Sequence, residues 1–180
     1  SLNDDERLLA IVEGVLAGNI FDWGSQGTLD LYRNGTILEI YRNARSTVNR
    51  PWAIDDYDAL RDRLNAPNAK QYRKALLFCD NSGADIILGM LPFARELLKR
   101  GTSVVLVANS LPAINDITAT ELTGILQATK SLDSQLEIAI DSGALSVVSS
   151  GSGSPCLDFR RLSNEACVAA RDADLIVLEG

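Results

Sequence analysis

Asp80-Asn81-Ser82-Gly83 follows directly on the apolar run Leu76-Leu77-Phe78-Cys79, and Asn109-Ser110 follows in the same way on Val104-Val105-Leu106-Val107-Ala108, with Asn115-Asp116 a few residues on. Short apolar runs that stop on turn residues and then enter an apolar-periodic segment read as buried parallel strands feeding helices. The two polar packages then lie at the C-terminal ends of strands, the edge of an open α/β sheet where ligands bind. Adjacent parallel strands lie about 4.8 Å apart, so loops leaving their same ends can converge on one small ligand or ion. Asp80, Asn81 and Asp116 are candidates to share such a site. Two carboxylates and an amide oxygen are hard donors, a set preferred by magnesium, manganese or calcium and disfavoured by thiolate-seeking metals. A magnesium ion held this way keeps several waters and bridges to a phosphate. The structural alternative is capping, since Asp and Asn after a strand often cap the next helix or form Asx turns, and Asn115-Asp116-Ile117-Thr118 could start a helix. Asp85 falls in a first helical turn, where the macrodipole favours a carboxylate, and reads as mainly structural.

Other chemistry is narrowed by what the chain lacks. It contains no histidine, which removes His-based triads, His general bases and most transition-metal sites from these residues. Cys79, Cys156 and Cys167 are odd in number and have no CxxC spacing, so neither a disulfide framework nor a zinc site is indicated. The turn after Cys79 lacks GxGxxG, which speaks against a dinucleotide-binding role. Ser150-Gly151-Ser152-Gly153-Ser154-Pro155 has no following lysine and is not a P-loop; it reads as a plain connection, and Asp158 and Glu179 carry little functional weight. A formal net charge of −7 offers no electrostatic footprint for nucleic acid or an anionic membrane. No apolar run approaches the roughly 20 residues that span a bilayer, and Ser1-Leu2-Asn3-Asp4-Asp5-Glu6 is unlike a basic signal-peptide start. The expected location is cytoplasmic, with no nucleic-acid or membrane partner.

At 180 residues and 46% hydrophobic content, the chain can bury a core of its own. Leu8, Leu9, Ile11, Val12, Val15 and Leu16 make a helical face, with Asn3 or Asp4 as cap and Gly18-Asn19 as its end. A second helix is expected from about Gly27 to Asn43, weakened at Asn34-Gly35, and a short one from Asp55 to Leu64. From Lys74 strand and helix alternate: strands at 74–79, 103–108, 145–149 and 174–178, and helices at 86–99 (interrupted only by Pro92), 115–130 and 165–171. The expected fold class is α/β, a three-layer Rossmann-like parallel sheet core preceded by an N-terminal helical segment. Residues 1–70 would pack on the metal-binding core formed by residues 71–180. The buried run before Glu179-Gly180 would normally lead into another loop at the same edge, which suggests part of a larger domain.

Asp80-Asn81-Ser82-Gly83-Ala84-Asp85-Ile86-Ile87-Leu88-Gly89, the 109–118 segment, Gly18-Asn19-Ile20-Phe21-Asp22 and Ser154-Pro155-Cys156-Leu157-Asp158 together resemble the damage-control phosphatases, a family first catalogued as a domain of unknown function. The chain looks most like the phosphatase domain fused to eukaryotic pantothenate kinases and its stand-alone plant relatives. The resemblance implies a phosphatase dependent on a divalent cation (magnesium, manganese, cobalt or nickel), acting on 4′-phosphopantetheine or its oxidised or otherwise damaged forms. It makes Asp80, Asn81 and Asp116 the catalytic metal ligands and places Asn19, Asp22, Asn109 and Ser110 at the substrate. It also implies fusion to a pantothenate kinase domain, and residues of the family domain beyond both ends of this chain. The nucleophile stays open between water activated at the metal, which is favoured, and Asp80 itself. The alternative function is an inactive regulatory or binding domain associated with a pantothenate kinase.

Overall fold

The computed structural model describes residues 3–19, 37–66 and 70–180. Strands β1 (Lys74–Phe78), β2 (Ser103–Ala108), β3 (Leu145–Ser149) and β4 (Leu175–Leu178) form one sheet in the order β3-β2-β1-β4. Every neighbouring pair is parallel. The central runs are buried on both faces, which is why they read as continuously apolar. On one face Ala75, Leu77, Val104 and Leu106 enter the larger core; on the other Leu76, Phe78, Val105 and Val107 pack with Ala166 and Ala169. The architecture is α/β in three layers.

The helices of the larger core are α1 (Asp4–Asn19), α3 (Tyr57–Asn65), α4 (Leu91–Lys99), α5 (Ala119–Thr129) and α6 (Ser134–Asp141). The opposite face is covered by α7 (Asn164–Ala170), while α2 (Ile37–Thr47) packs against α1. Asn3 caps α1 reciprocally with Glu6: Asn3 Oδ1 accepts from the Glu6 amide at 2.8 Å, and Glu6 Oε2 accepts from the Asn3 amide at 3.0 Å. Arg7 of α1 and Arg100 both reach the buried Glu96 of α4, at 3.1 and 2.7 Å. Arg100 also donates to the Leu64 carbonyl at the end of α3, at 3.0 Å. No helix among the described residues is long and apolar enough to cross a membrane.

Four expectations need correction. The helix expected over Gly27–Asn43 runs in its described part from Ile37 to Thr47, beyond the expected end, and residues 27–36 lie outside the described residues. The helix expected at 115–130 starts only at Ala119, because Thr118 and Glu121 form a complete capping box that outcompetes Asn115 and Asp116. Helix α6 was not expected at all, although Asp133 caps it through the amides of Gln135 and Leu136. Finally, the segment 86–99 is not one α-helix but a π-helical stretch, Asp85–Met90, leading into α4. Pro92 has no N–H to give the Leu88 carbonyl four residues back. The Tyr41 hydroxyl takes that carbonyl instead at 3.0 Å, and the Leu91 amide reaches five residues back to Ile86. A lost i−4 donor and a wider turn are how a proline is accommodated without ending the helix.

Candidate functional site

The chain leaves β1 at Phe78, keeps one more sheet bond from the Cys79 amide to Val107 at 2.9 Å, and turns at Asp80. The loop after β2 then folds back over that turn. Asn81 and Asp116 form an antiparallel bridge. The Ile117 amide donates to the Asp80 carbonyl at 2.8 Å and the Ser82 amide to the Asn115 carbonyl at 2.9 Å. Ile117 is almost completely buried and anchors the return, and the chain rejoins Asn109 through its bridge with Thr118. The turn that reverses the loop places Ile114 at φ 49°, a left-handed conformation that a β-branched residue adopts only under constraint. This loop, rather than a helix start, carries Asp116 to Asp80 and Asn81.

The amides of the site hold its carboxylates. Asp80 Oδ2 accepts from Asn81 Nδ2 at 2.9 Å and from Asn19 Nδ2 at 3.3 Å, the latter reaching in from the end of α1. Asp116 Oδ2 accepts from Asn109 Nδ2 at 2.9 Å. Asp80, Asn109, Asp116 and Glu179 line a cavity of about 210 Å³, closed on the other side by Ser150, Ser154, Pro155 and Leu157. Among the described residues lining it there is no lysine or arginine. Carboxylates concentrated with no cationic side chain described beside them attract a cation and repel an anion. No three His, Cys, Asp or Glu among the described residues stand where they could hold a metal by themselves. The cavity wall offers the carboxylates of Asp80 and Asp116, with Asn81 joined to both, through its Nδ2 to Asp80 Oδ2 and through the bridge to Asp116.

Asp22 lies outside the described residues. Ser110 is absent from the cavity wall; its hydroxyl meets Ser149 Oγ and accepts from the Gly151 amide at 2.8 Å, stitching the loop after β3 to the end of β2. That loop is more than a connection, since Ser150 and Ser154 line the cavity. Gly151 is required within it: its φ is +89°, and a Cβ there would stand 2.7 Å from the Ser163 amide nitrogen.

Sequence reasoning gave little weight to Glu179 and Asp85, yet both are at the site. Register explains Glu179: β4 pairs with β1, Leu178 opposite Phe78, so the next residue arrives beside the Asp80 turn. Its Oε2 accepts from the Asp80 amide at 3.1 Å. Burial first, and then the neighbouring Asp85 carboxyl, push Glu179 far above the ordinary carboxylate range. Asp85 is raised too, chiefly by burial. Asp85 Oδ1 and Glu179 Oε1 are buried without a hydrogen-bond partner among the described residues, and burial beside one another's carboxyl disfavours ionising both. Burial, together with the carboxyls of Glu179, Asp85 and Asp80, raises Cys79 as well, so it remains a thiol rather than a thiolate nucleophile.

The chain is 52% identical over 202 residues to pantothenate kinase 2 of Oryza sativa, with all of this chain and 22% of that protein covered. It is 43% identical over 159 residues to the 4′-phosphopantetheine phosphatase of Mus musculus, covering 88% of this chain and 19% of the mouse protein. The crystal structure of a DUF89 family protein from Pyrococcus horikoshii has the same fold, with a TM-score of 0.59 at 19% identity, over 98% of this chain and 51% of that one. The chain thus spans about a fifth of the length of these two curated relatives and about half of the solved structure. The family model described as the damage-control phosphatase ARMT1-like domain matches residues 1–180, and the chain belongs to that family.

Proposed function

We propose that this chain carries the metal-holding part of a phosphatase that hydrolyses phosphomonoesters, with 4′-phosphopantetheine or its oxidised or otherwise damaged forms as substrate. The observation that carries the reading is the convergence of Asp80, Asn81 and Asp116 beside a cavity with no cationic side chain among its described lining residues. The family membership and the names of the mouse and rice relatives support the substrate class and an association with a pantothenate kinase domain.

Asp80, Asn81 and Asp116 would hold a divalent cation, magnesium, manganese, cobalt or nickel. When bound, that ion supplies charge neutralisation of the phosphate and of the departing ester oxygen. The protein's own part is orientation. Asn19 and Asn109 fix the rotamers of Asp80 and Asp116 through their Oδ2 atoms, which keeps the two carboxylates aimed without reorganisation as charge develops. The attacking group is water, its proton accepted by a carboxylate oxygen at the site; attack by Asp80 itself, poised at a strand end, is the lesser route. Pro155 and Leu157 form an apolar part of the cavity wall.

The test is release of phosphate from p-nitrophenyl phosphate and 4′-phosphopantetheine by the full-length protein with each metal, and again after EDTA. Asp80→Ala and Asp116→Ala are each expected to lower turnover by at least about 10²-fold with folding retained. Unchanged turnover in either variant, or activity indifferent to EDTA, would overturn the proposal.

A further inference from the structure

We infer that Asp85 is a positioning residue for Asn81, fixing the orientation of its carboxamide, and that Gly18 is small so that Asp85 can stand there. This rests on the metal-holding reading above. Asp85 is completely buried. Its Oδ2 accepts both from the Asn81 backbone amide, at 3.2 Å, and from Asn81 Nδ2, at 3.1 Å. The same Nδ2 donates to Asp80 Oδ2 at 2.9 Å. A carboxamide nitrogen has two hydrogens, and here both are committed to carboxylates. The Asn81 side chain is thereby held in one orientation, with Nδ2 toward the two carboxylates and Oδ1 left as its acceptor atom. Asn115 Nδ2 donates to that oxygen and holds it from the other side.

Helix capping does not account for Asp85. It accepts from a residue that precedes the helical segment, and the cap position, Ala84, makes no side-chain capping bond. A carboxylate with only that role would sit in solvent, because full burial is costly unless specific donors receive it. The fold makes room for it through glycine. A Cβ on Gly18 would lie 2.8 Å from Asp85 Oδ1 and 3.0 Å from its Cα, and one on Gly89 would lie 3.2 Å from the Val15 Cα. Helix α1 and the π-helical stretch can approach this closely only with hydrogen at those positions.

The measurement is direct Mn²⁺ binding to the full-length protein by calorimetry or electron paramagnetic resonance, alongside phosphatase turnover as a function of metal concentration. Asp85→Ala is expected to weaken Mn²⁺ binding by about 10–100-fold, the usual range for outer-shell partners, with turnover largely recovered at saturating metal. Asp85→Asn can keep an oxygen where Oδ2 stands and is expected to rescue most of the affinity. Gly18→Ala, which retains the carboxylate but displaces it, is expected to weaken Mn²⁺ binding to a smaller extent and keeps the inference testable if Asp85→Ala does not fold. Wild-type Mn²⁺ affinity in Asp85→Ala or Gly18→Ala, or equal losses in Asp85→Ala and Asp85→Asn, overturns the inference while leaving the metal site standing. Absence of Mn²⁺ binding by the unmodified protein overturns the metal reading itself, and this inference with it.

Discussion

Ile114 shows how a residue with no polar chemistry serves the site. It is exposed, and its left-handed backbone is the point at which the loop after β2 reverses to bring Asn115 and Asp116 back onto Asn81. A β-branched residue in that conformation is strained by about 1–2 kcal/mol, whereas asparagine tolerates it. Ile114→Asn is therefore expected to raise the unfolding free energy by about 1 kcal/mol in urea titrations; a loss of stability would show that Ile114 makes a packing contribution larger than its strain. Gly18 illustrates the opposite situation. From sequence it is a helix terminator beside Asn19; in the structure the close constraint on the glycine is Asp85 across the helix interface. Asp80 and Asn81 were legible because polar residues ending an apolar run are conspicuous. Glu179 was not, because its weight comes from which strand lies beside β1.

The elements around the site are set by local rules of different strength. Asn115-Asp116 and Thr118 compete to start the same helix, and Thr118 wins because Glu121 stands at the position from which it can return the hydrogen bond. Releasing Asp116 from capping lets it lie in the bridge with Asn81. Thr118→Ala is expected to cost about 1 kcal/mol of stability, measured by thermal or urea unfolding, and a loss below a few tenths would mean that the loop's other bonds already fix the helix start. The π-helical stretch depends on a more distant partner. Its proline was visible in the sequence as an interruption, but the donor that takes the orphaned Leu88 carbonyl comes from Tyr41, in another helix. Proline position is local information; the replacement donor is not.

At the scale of the molecule, helix α1 is tied to α4 electrostatically as well as by packing. Glu96 is nearly fully buried. Burial opposes its ionisation, but the hydrogen bonds and charges of Arg7 and Arg100 outweigh that and hold its carboxyl below the ordinary value of 4.5. A carboxylate whose folded value is depressed contributes stability that is present above the unfolded value and lost as pH falls through the folded one. Unfolding free energy is thus expected to drop as pH is taken below about 4.5, and Glu96→Gln should flatten that dependence. An unchanged pH slope in the variant would remove Glu96 from the account. What the sequence by itself determined was the alternation of strands and helices and the polar breaks at Asp80 and Asn109, because burial on both faces writes a continuous apolar run and every strand end must be marked by residues that leave it. Only the tertiary structure decided the strand order that puts Glu179 beside Asp80, the fold-back that brings Asp116 to Asn81, and the helix approach that buries Asp85 against Gly18. Those contacts join residues far apart in the chain, and their formation depends on packing and register, which no local pattern encodes.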